Sequence, residues 1–169
     1  ASYMPFNVVL IAPEIPQNTG NIIRLCANTG ARLHLVEPLG FDLTEKSLRR
    51  ASLDYKDLVN VTVHNSFEAM MESIDPARVF AASARASNSY SQIEYHPDDT
   101  VIFGAEGAGL TDEMLSKFAP QNQITIPMMP ANRSINLSNA VALVVYEMWR
   151  QQSFDGSEPQ ARVSEPYFS

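Results

Sequence analysis

Phe6-Asn7-Val8-Val9-Leu10-Ile11-Ala12 leads into Pro13-Glu14-Ile15-Pro16, and then into Gln17-Asn18-Thr19-Gly20-Asn21-Ile22-Ile23-Arg24-Leu25-Cys26-Ala27-Asn28-Thr29-Gly30. The first stretch reads as a buried strand. The prolines break it. Pro16 suits the first turn of a helix, where a missing N–H costs nothing. That helix is expected to run to about Thr29, with Ile22, Ile23, Cys26 and Ala27 as its apolar face and Gly30 as its stop.

The same strand-then-helix unit recurs to the end of the chain. Leu33–Val36, Val59–Val63, Val79–Ala82, Thr100–Phe103 and Gln123–Ile126 read as strands. Thr44, Ser66 and Thr111 are placed to cap helices through Arg50, Ile74 and Phe118. Ser83–Ser91 reads as a small, polar connection, and a last helix covers Leu137–Gln152. The alternation predicts an α/β fold: one parallel sheet with helices on both faces, forming a single domain over 1–152. The tail 153–169, rich in Ser, Glu, Gln and Pro, is expected to be loosely ordered. In the last helix Val141, Ala142, Leu143, Val144, Val145, Met148 and Trp149 leave little polar face, so burial on more than one side is expected. A central core helix and a helix shared with a partner subunit both satisfy that pattern.

The 169 residues, 45% of them apolar, suit one globular domain. Net charge is −7, which on its own argues against nucleic acid, although a local basic stripe can persist within an acidic total. The single cysteine, Cys26, excludes an internal disulfide and a multi-cysteine zinc site, and is expected to be a buried helix residue. No apolar run reaches the ~20 residues of a membrane span. The start, Ala1-Ser2-Tyr3-Met4, lacks the basic and apolar regions of a signal peptide, so a cytoplasmic protein with no membrane partner is expected. His34, His64 and His96 are scattered and are expected at the surface or at strand ends. There is no phosphate-binding P-loop and no nucleophile elbow. Metal catalysis and nucleophilic hydrolysis therefore find little support, and no metal is expected.

Three polar clusters interrupt the apolar framework. In Pro16–Arg24, Asn18, Asn21 and Arg24 recur at helical spacing, and Gly20, about 1 kcal/mol poorer than Ala in a helix, implies a close approach to its backbone. Phe103-Gly104-Ala105-Glu106-Gly107-Ala108-Gly109-Leu110 places three glycines between a strand and a helix, where ligands sit in open α/β sheets. Ile126-Pro127-Met128-Met129-Pro130-Ala131-Asn132-Arg133-Ser134-Ile135-Asn136-Leu137-Ser138-Asn139 offers apolar side chains for a flat ring and amides for its edges. Ser134, Asn136 and Ser138 are equally suited to cap the last helix. On residues alone, a solvated helix face accounts for the first cluster and an ordinary glycine-rich turn for the second as well as a binding role does; if the three loops lie at one end of the sheet they suit a pocket for a nucleotide-like ligand, with no reaction specified.

Taken together, Asn18…Asn21…Arg24, Gly104-x-Glu106-x-x-Gly109-Leu110 and Ser134-x-Asn136-x-Ser138 resemble the three ordered motifs of SPOUT 2′-O-methyltransferases. Pro13–Gly30, Leu33–Phe41, Leu53-Asp54-Tyr55 and Val145–Arg150 are similar to the small tRNA (cytidine/uridine-34) 2′-O-methyltransferases, over about Phe6 to Gln152. The resemblance implies a C-terminal trefoil knot and S-adenosylmethionine as cofactor, with S-adenosylhomocysteine as product. It implies a cofactor pocket built from the loop after Ala82, the Gly104–Gly109 loop and Ile126–Ile135, with Ala82, Gly104, Glu106, Ile126, Ser134 and Ile135 as its contacts. It also implies a homodimer joined by the first and last helices, and methylation of the wobble nucleotide of tRNA, leucine isoacceptors among them. The catalytic candidates it points to are Arg24, Asn18, Glu106, Ser134 and Asn136, with Tyr146 stacking or closing the interface. Arg24, Lys46, Arg49, Arg50 and Arg133 are the candidates for contact with RNA; Arg85 and Arg150 are further basic positions.

A free guanidinium holds its proton far above neutral pH, so Arg24 is expected to orient the ribose hydroxyl, bind a neighbouring phosphate or stabilise the developing alkoxide. Two other readings of the same motifs stand beside this one: a 2′-O-methyltransferase of another RNA such as ribosomal RNA, and a non-catalytic dimer that binds RNA or the cofactor.

Overall fold

The computed structural model describes residues 5–132 and 134–158, without the side chains of Glu45 and Leu48. Arg133 and the tail from 159 onward lie outside the described residues. In chain order the elements are β1 (Asn7–Ile11), α1 (Pro16–Thr29), β2 (Arg32–Val36), α2 (Glu45–Arg50), β3 (Val61–His64), α3 (Phe67–Met71), β4 (Val79–Ala82), β5 (Asn88–Ser89), β6 (Thr100–Phe103), α4 (Asp112–Leu115), β7 (Gln123–Thr125) and α5 (Leu137–Gln151).

The strands form one sheet in the order β3-β2-β1-β6-β4-β7-β5, and all six pairings are parallel. Side chains alternate across it, as the two-residue period of a strand requires. Val8, Leu10, Leu33, Leu35, Val101, Phe103 and Ile124 face α1 and α5 in the larger core. Val9, Val36, Val79, Ala81 and Ile102 face the other way, towards α3 and α4. The expected α/β sheet with helices on both faces is therefore present. No helix among the described residues is long and apolar enough to cross a membrane.

The two ends of the sheet differ. At the amino ends of the strands polar groups are tied to one another. Arg78 grips the fully buried Asp99 through Nε at 2.9 Å and Nη2 at 2.6 Å, while the His96 N–H donates to the same carboxylate at 2.8 Å. Arg32 pairs with Asp98 and donates to Asn7 Oδ1 at 2.9 Å. This end is closed by its own ion pairs, which leaves the carboxyl ends open for a ligand.

Several boundaries shift for identifiable reasons. Ala27 is exposed, and Thr29 takes the place expected of it: Thr19, Ile22, Ile23, Cys26 and Thr29 form the buried stripe at three- and four-residue steps. Thr29 loses little by burial because its hydroxyl donates to the Leu25 carbonyl at 2.9 Å. Gly30 adopts the left-handed φ of 78° that stops the helix. Val59 is exposed, and β3 begins two residues later. α3 and α4 are single short turns that end before Ile74 and Phe118. The polar stretch Ser83–Ser91 contains β5, an edge strand of two residues with no apolar signature to reveal it. Residues 153–158 turn back onto α5: Trp149 Nε1 donates to the Asp155 carbonyl at 2.8 Å, and Phe154 meets the Trp149 ring edge-on at 5.5 Å.

His34 corrects the expectation of a surface or strand-end histidine. It is buried within β2, stacked on His64 with ring centroids 5.1 Å apart. Its Nδ1 meets His64 Nε2 at 2.9 Å and its Nε2 meets Asn7 Oδ1 at 3.1 Å. Burial, then the charges of His64 and Arg32, push the His34 pKa down from 6.5 to about 4. The unfolded chain therefore takes up a proton that the folded one refuses. Stability should be full above about pH 6.5 and decline as the pH falls towards 4, by up to roughly 3 kcal/mol. Urea unfolding at a series of pH values will show this slope in the wild type and a flatter one in His34→Leu.

Candidate functional site

The carboxyl ends of β4, β6 and β7 and the start of α1 surround a cavity of about 490 Å³. Ala82–Arg85 forms one wall and Phe103–Leu110 another; Thr125 ends β7, with Ile126 and Met128 after it, Ser134–Asn136 lead into α5, which adds Leu137 and Ala140, and Ile15 and Asn18 come from the start of α1. Every residue assigned to the cofactor pocket, namely Ala82, Gly104, Glu106, Ile126, Ser134 and Ile135, lines this space, as do Asn18 and Asn136.

The glycine loop has a specific reason for its sequence. The Gly109 N–H donates to the Ala105 carbonyl at 2.9 Å, which folds the loop into a narrow hairpin with Gly107 and Gly109 at φ of 80° and 69°. A Cβ on Gly104 would lie 2.1 Å from the Gly109 carbonyl carbon, so the loop closes only over a bare α-carbon. The close approach at Gly20 is likewise internal: a Cβ there would meet the Ala51 side chain at 3.3 Å.

At the hairpin tip Glu106 reaches across to α1. Its carboxylate accepts from the backbone N–H of Glu14 and of Ile15, both at 2.9 Å, and from Asn18 Nδ2 at 3.2 Å. Ile15, at the N-cap, has no side-chain acceptor of its own, so a carboxylate from a distant loop stands in front of the positive end of this helix. Burial opposes the charge on Glu106. The N–H donors of Glu14, Glu106 itself and Ile15, together with the Asn18 amide, outweigh it and hold the carboxyl below its ordinary value. Asn18 Oδ1 in turn accepts from Asn136 Nδ2 at 3.1 Å. Asn136 is the N-cap of α5, its Oδ1 accepting from the Asn139 N–H at 3.2 Å and the Ser138 hydroxyl at 2.6 Å. Glu106–Asn18–Asn136 thus forms one hydrogen-bonded chain through all three motifs.

Other predicted residues stand apart. Arg24 and Asn21 are exposed on α1 and outside the cavity lining; an Arg24 Nη donates to the Ser52 carbonyl. Tyr146 is exposed on α5, edge-on to Trp149 at 5.7 Å. Lys46, Arg49 and Arg50 are exposed on α2 and likewise outside the lining. Arg133 lies outside the described residues. Of the lining residues, Ile15 and Ala140 lie just outside the three motifs, whereas Phe103 opens the glycine motif and Arg85 lies in the loop after Ala82. Their position after strand ends or at helix starts was the available signal.

A parallel α/β sheet with a glycine-walled cavity beyond the carboxyl ends of its strands defines a class of proteins that bind nucleotide-like ligands. Within that class the chain belongs to the SpoU rRNA Methylase family, whose model matches residues 5–146. It is 53% identical over 153 residues to the tRNA (cytidine(34)-2'-O)-methyltransferase of Burkholderia pseudomallei, covering 89% of this chain and 98% of that one. A solved protein from Bacillus anthracis matches with a TM-score of 0.85 and 38% identity over 92% of this chain and 99% of that one. A structure concerned with 2-OH methylation of C/U34 on tRNA matches with a TM-score of 0.80 and 42% identity, over 89% and 97% of the two chains.

Removing the Glu106 carboxylate strips three donors of their acceptor. Glu106→Ala should lower the unfolding free energy by about 1–3 kcal/mol, and Glu106→Gln by less, because the amide oxygen retains part of the set. Chemical denaturation of the three proteins measures this difference.

Proposed function

We propose that this protein transfers the methyl group of S-adenosylmethionine to the ribose 2′-hydroxyl of the wobble nucleotide, cytidine or uridine 34, of tRNA, releasing S-adenosylhomocysteine. The observation that carries the reading is the convergence of the three motifs on one cavity, joined by the Glu106–Asn18–Asn136 chain. The relatives named above support the substrate. Leucine isoacceptors, the C-terminal knot, a cytoplasmic setting and a catalytic domain over 1–152 belong to the same reading.

The cavity suits the cofactor. Its volume falls within the ~300–1,000 Å³ typical of small-molecule sites. Phe103, Ile126, Ile135, Leu137 and Ala140 offer apolar walls for a ring, and the glycine loop presents backbone groups with no side chain in the way. When bound, S-adenosylmethionine supplies a methyl group activated by a positively charged sulfur. The chain's own residues have the tasks of holding and orienting. Ser134 and Asn136 bring a hydroxyl and an amide to the rim. Asn18 is fixed by a bond at each end, so its amide cannot turn away when substrate enters. Such preorganisation is worth several kcal/mol in a displacement.

Arg24 is the group assigned to the ribose hydroxyl, yet it lies outside its own chain's cavity. In the proposed homodimer the arginine of one subunit serves the cavity of the other, across an interface built from α1 and the exposed Leu143 and Tyr146 of α5. Lys46, Arg49 and Arg50, with Arg133, then carry the tRNA phosphates despite the net charge of −7.

Transfer of labelled methyl to tRNA from cells that lack the endogenous enzyme, with the modified nucleotide mapped, tests the reaction. A 2′-O-methyl group at position 34 is expected; transfer to ribosomal RNA alone would overturn the substrate, and transfer to no RNA would favour a binding protein. Arg24→Ala and Asn136→Ala should each be inactive as purified homodimers. Co-expressed in one cell they should regain activity, since the mixed dimer holds one intact cavity facing one intact arginine. If the mixture stays inactive, Arg24 does not act across the interface.

A further inference from the structure

Only two of the described residues lining the cavity carry a formal charge, Glu106 and Arg85. Glu106 is fully engaged by the start of α1. Arg85 is held differently at its two nitrogens. One Nη donates to the Leu110 carbonyl at 2.7 Å, and Leu110 is buried at the base of the glycine hairpin. The other Nη pairs with Asp112 at 2.7 Å. The Asp112 side chain is 88% exposed and that of Arg85 is 53% exposed. A pair so open to water contributes little and exchanges readily.

The guanidinium is thus anchored on the cavity wall by a buried partner, while its outward edge is covered only by a weakly held one. That edge is a planar fork suited to a carboxylate. S-adenosylmethionine carries one full negative charge, the carboxylate of its amino-acid chain. We propose that Arg85 is a specificity-determining residue of the cofactor site: anchored on Leu110, it exchanges Asp112 for the cofactor carboxylate and so selects ligands that carry the amino-acid chain. The proposal rests on the reading that this cavity holds S-adenosylmethionine, and it assigns Arg85 to the cofactor instead of to RNA phosphate.

The test is calorimetric titration with S-adenosylhomocysteine and with 5′-methylthioadenosine, which keeps the nucleoside and thioether but lacks the amino-acid chain. Wild type should bind the former more tightly. Arg85→Met should weaken S-adenosylhomocysteine by about 10- to 100-fold, the range of a charge-assisted hydrogen bond, and leave methylthioadenosine unchanged. Arg85→Lys, which keeps the charge but not the fork, should fall between. Asp112→Asn, which removes the competitor, should bind S-adenosylhomocysteine at least as tightly as wild type.

Four results overturn the assignment: an unchanged affinity in Arg85→Met; equal losses of both ligands in Arg85→Met and Arg85→Lys, which would make Arg85 a brace for the loop; a loss in Asp112→Asn matching that in Arg85→Met; or a loss confined to tRNA binding. Wild type that binds both ligands equally sinks the carboxylate contact and spares the cofactor reading. Wild type that binds neither sinks both.

Discussion

A carboxylate drawn partly out of water needs donors for its oxygens, and Glu106 finds them at the start of α1, far from its own loop in sequence. That bond is the constraint on which the site depends. It draws the tip of the glycine hairpin to the start of α1. Asn18, one turn along, passes the connection to Asn136, and Asn136 starts α5. Loops after three non-adjacent stretches of sequence acquire fixed mutual positions through three polar side chains, with no metal cluster among the described residues. The apolar sheet beneath supplies rigidity, and the polar chain supplies registration.

The division of the sheet into a closed end and an open end follows from charge. Arg78 and Asp99, and Arg32 with Asp98 and Asn7, satisfy one another at the amino ends of the strands. At the carboxyl ends the polar groups point into a shared cavity, where backbone atoms are left uncovered by side chains at Gly107 and Gly109. The strand order places β6 between β1 and β4, so the loops after these three strands meet.

Much of this was legible in the sequence. The strands β1, β2, β4 and β6 are apolar runs bounded by Pro, Gly or polar residues, and α1 carries both its start at Pro16 and its stop at Gly30. The cavity residues were legible because each motif breaks an apolar pattern. β5 was not, since Asn88 and Ser89 pair as a strand only because β7 offers an edge. The burial of His34 is not legible in β2 alone, because its partners His64 and Asn7 are remote in sequence. The placement of Ala27 failed by a small angle: the stripe set by the sheet runs through Thr29, whose hydroxyl is satisfied within the helix. Helical spacing groups Arg24 with Asn18 but does not say which side of the helix faces the cavity, and only Asn18 lines it.

Gly20 and Ala51 touch where the segment carrying α2 crosses α1. α1 is a rod of about 21 Å, with the glycine hairpin docked at its start and the basic segment laid across its middle. The two partners lean on one shaft, so neither is a modular part. An engineer who transplants Lys46–Ala51 from a relative to retarget this protein must keep small residues at both 20 and 51. A larger side chain at either position would push the basic segment off the shaft and shift its cations relative to the cavity.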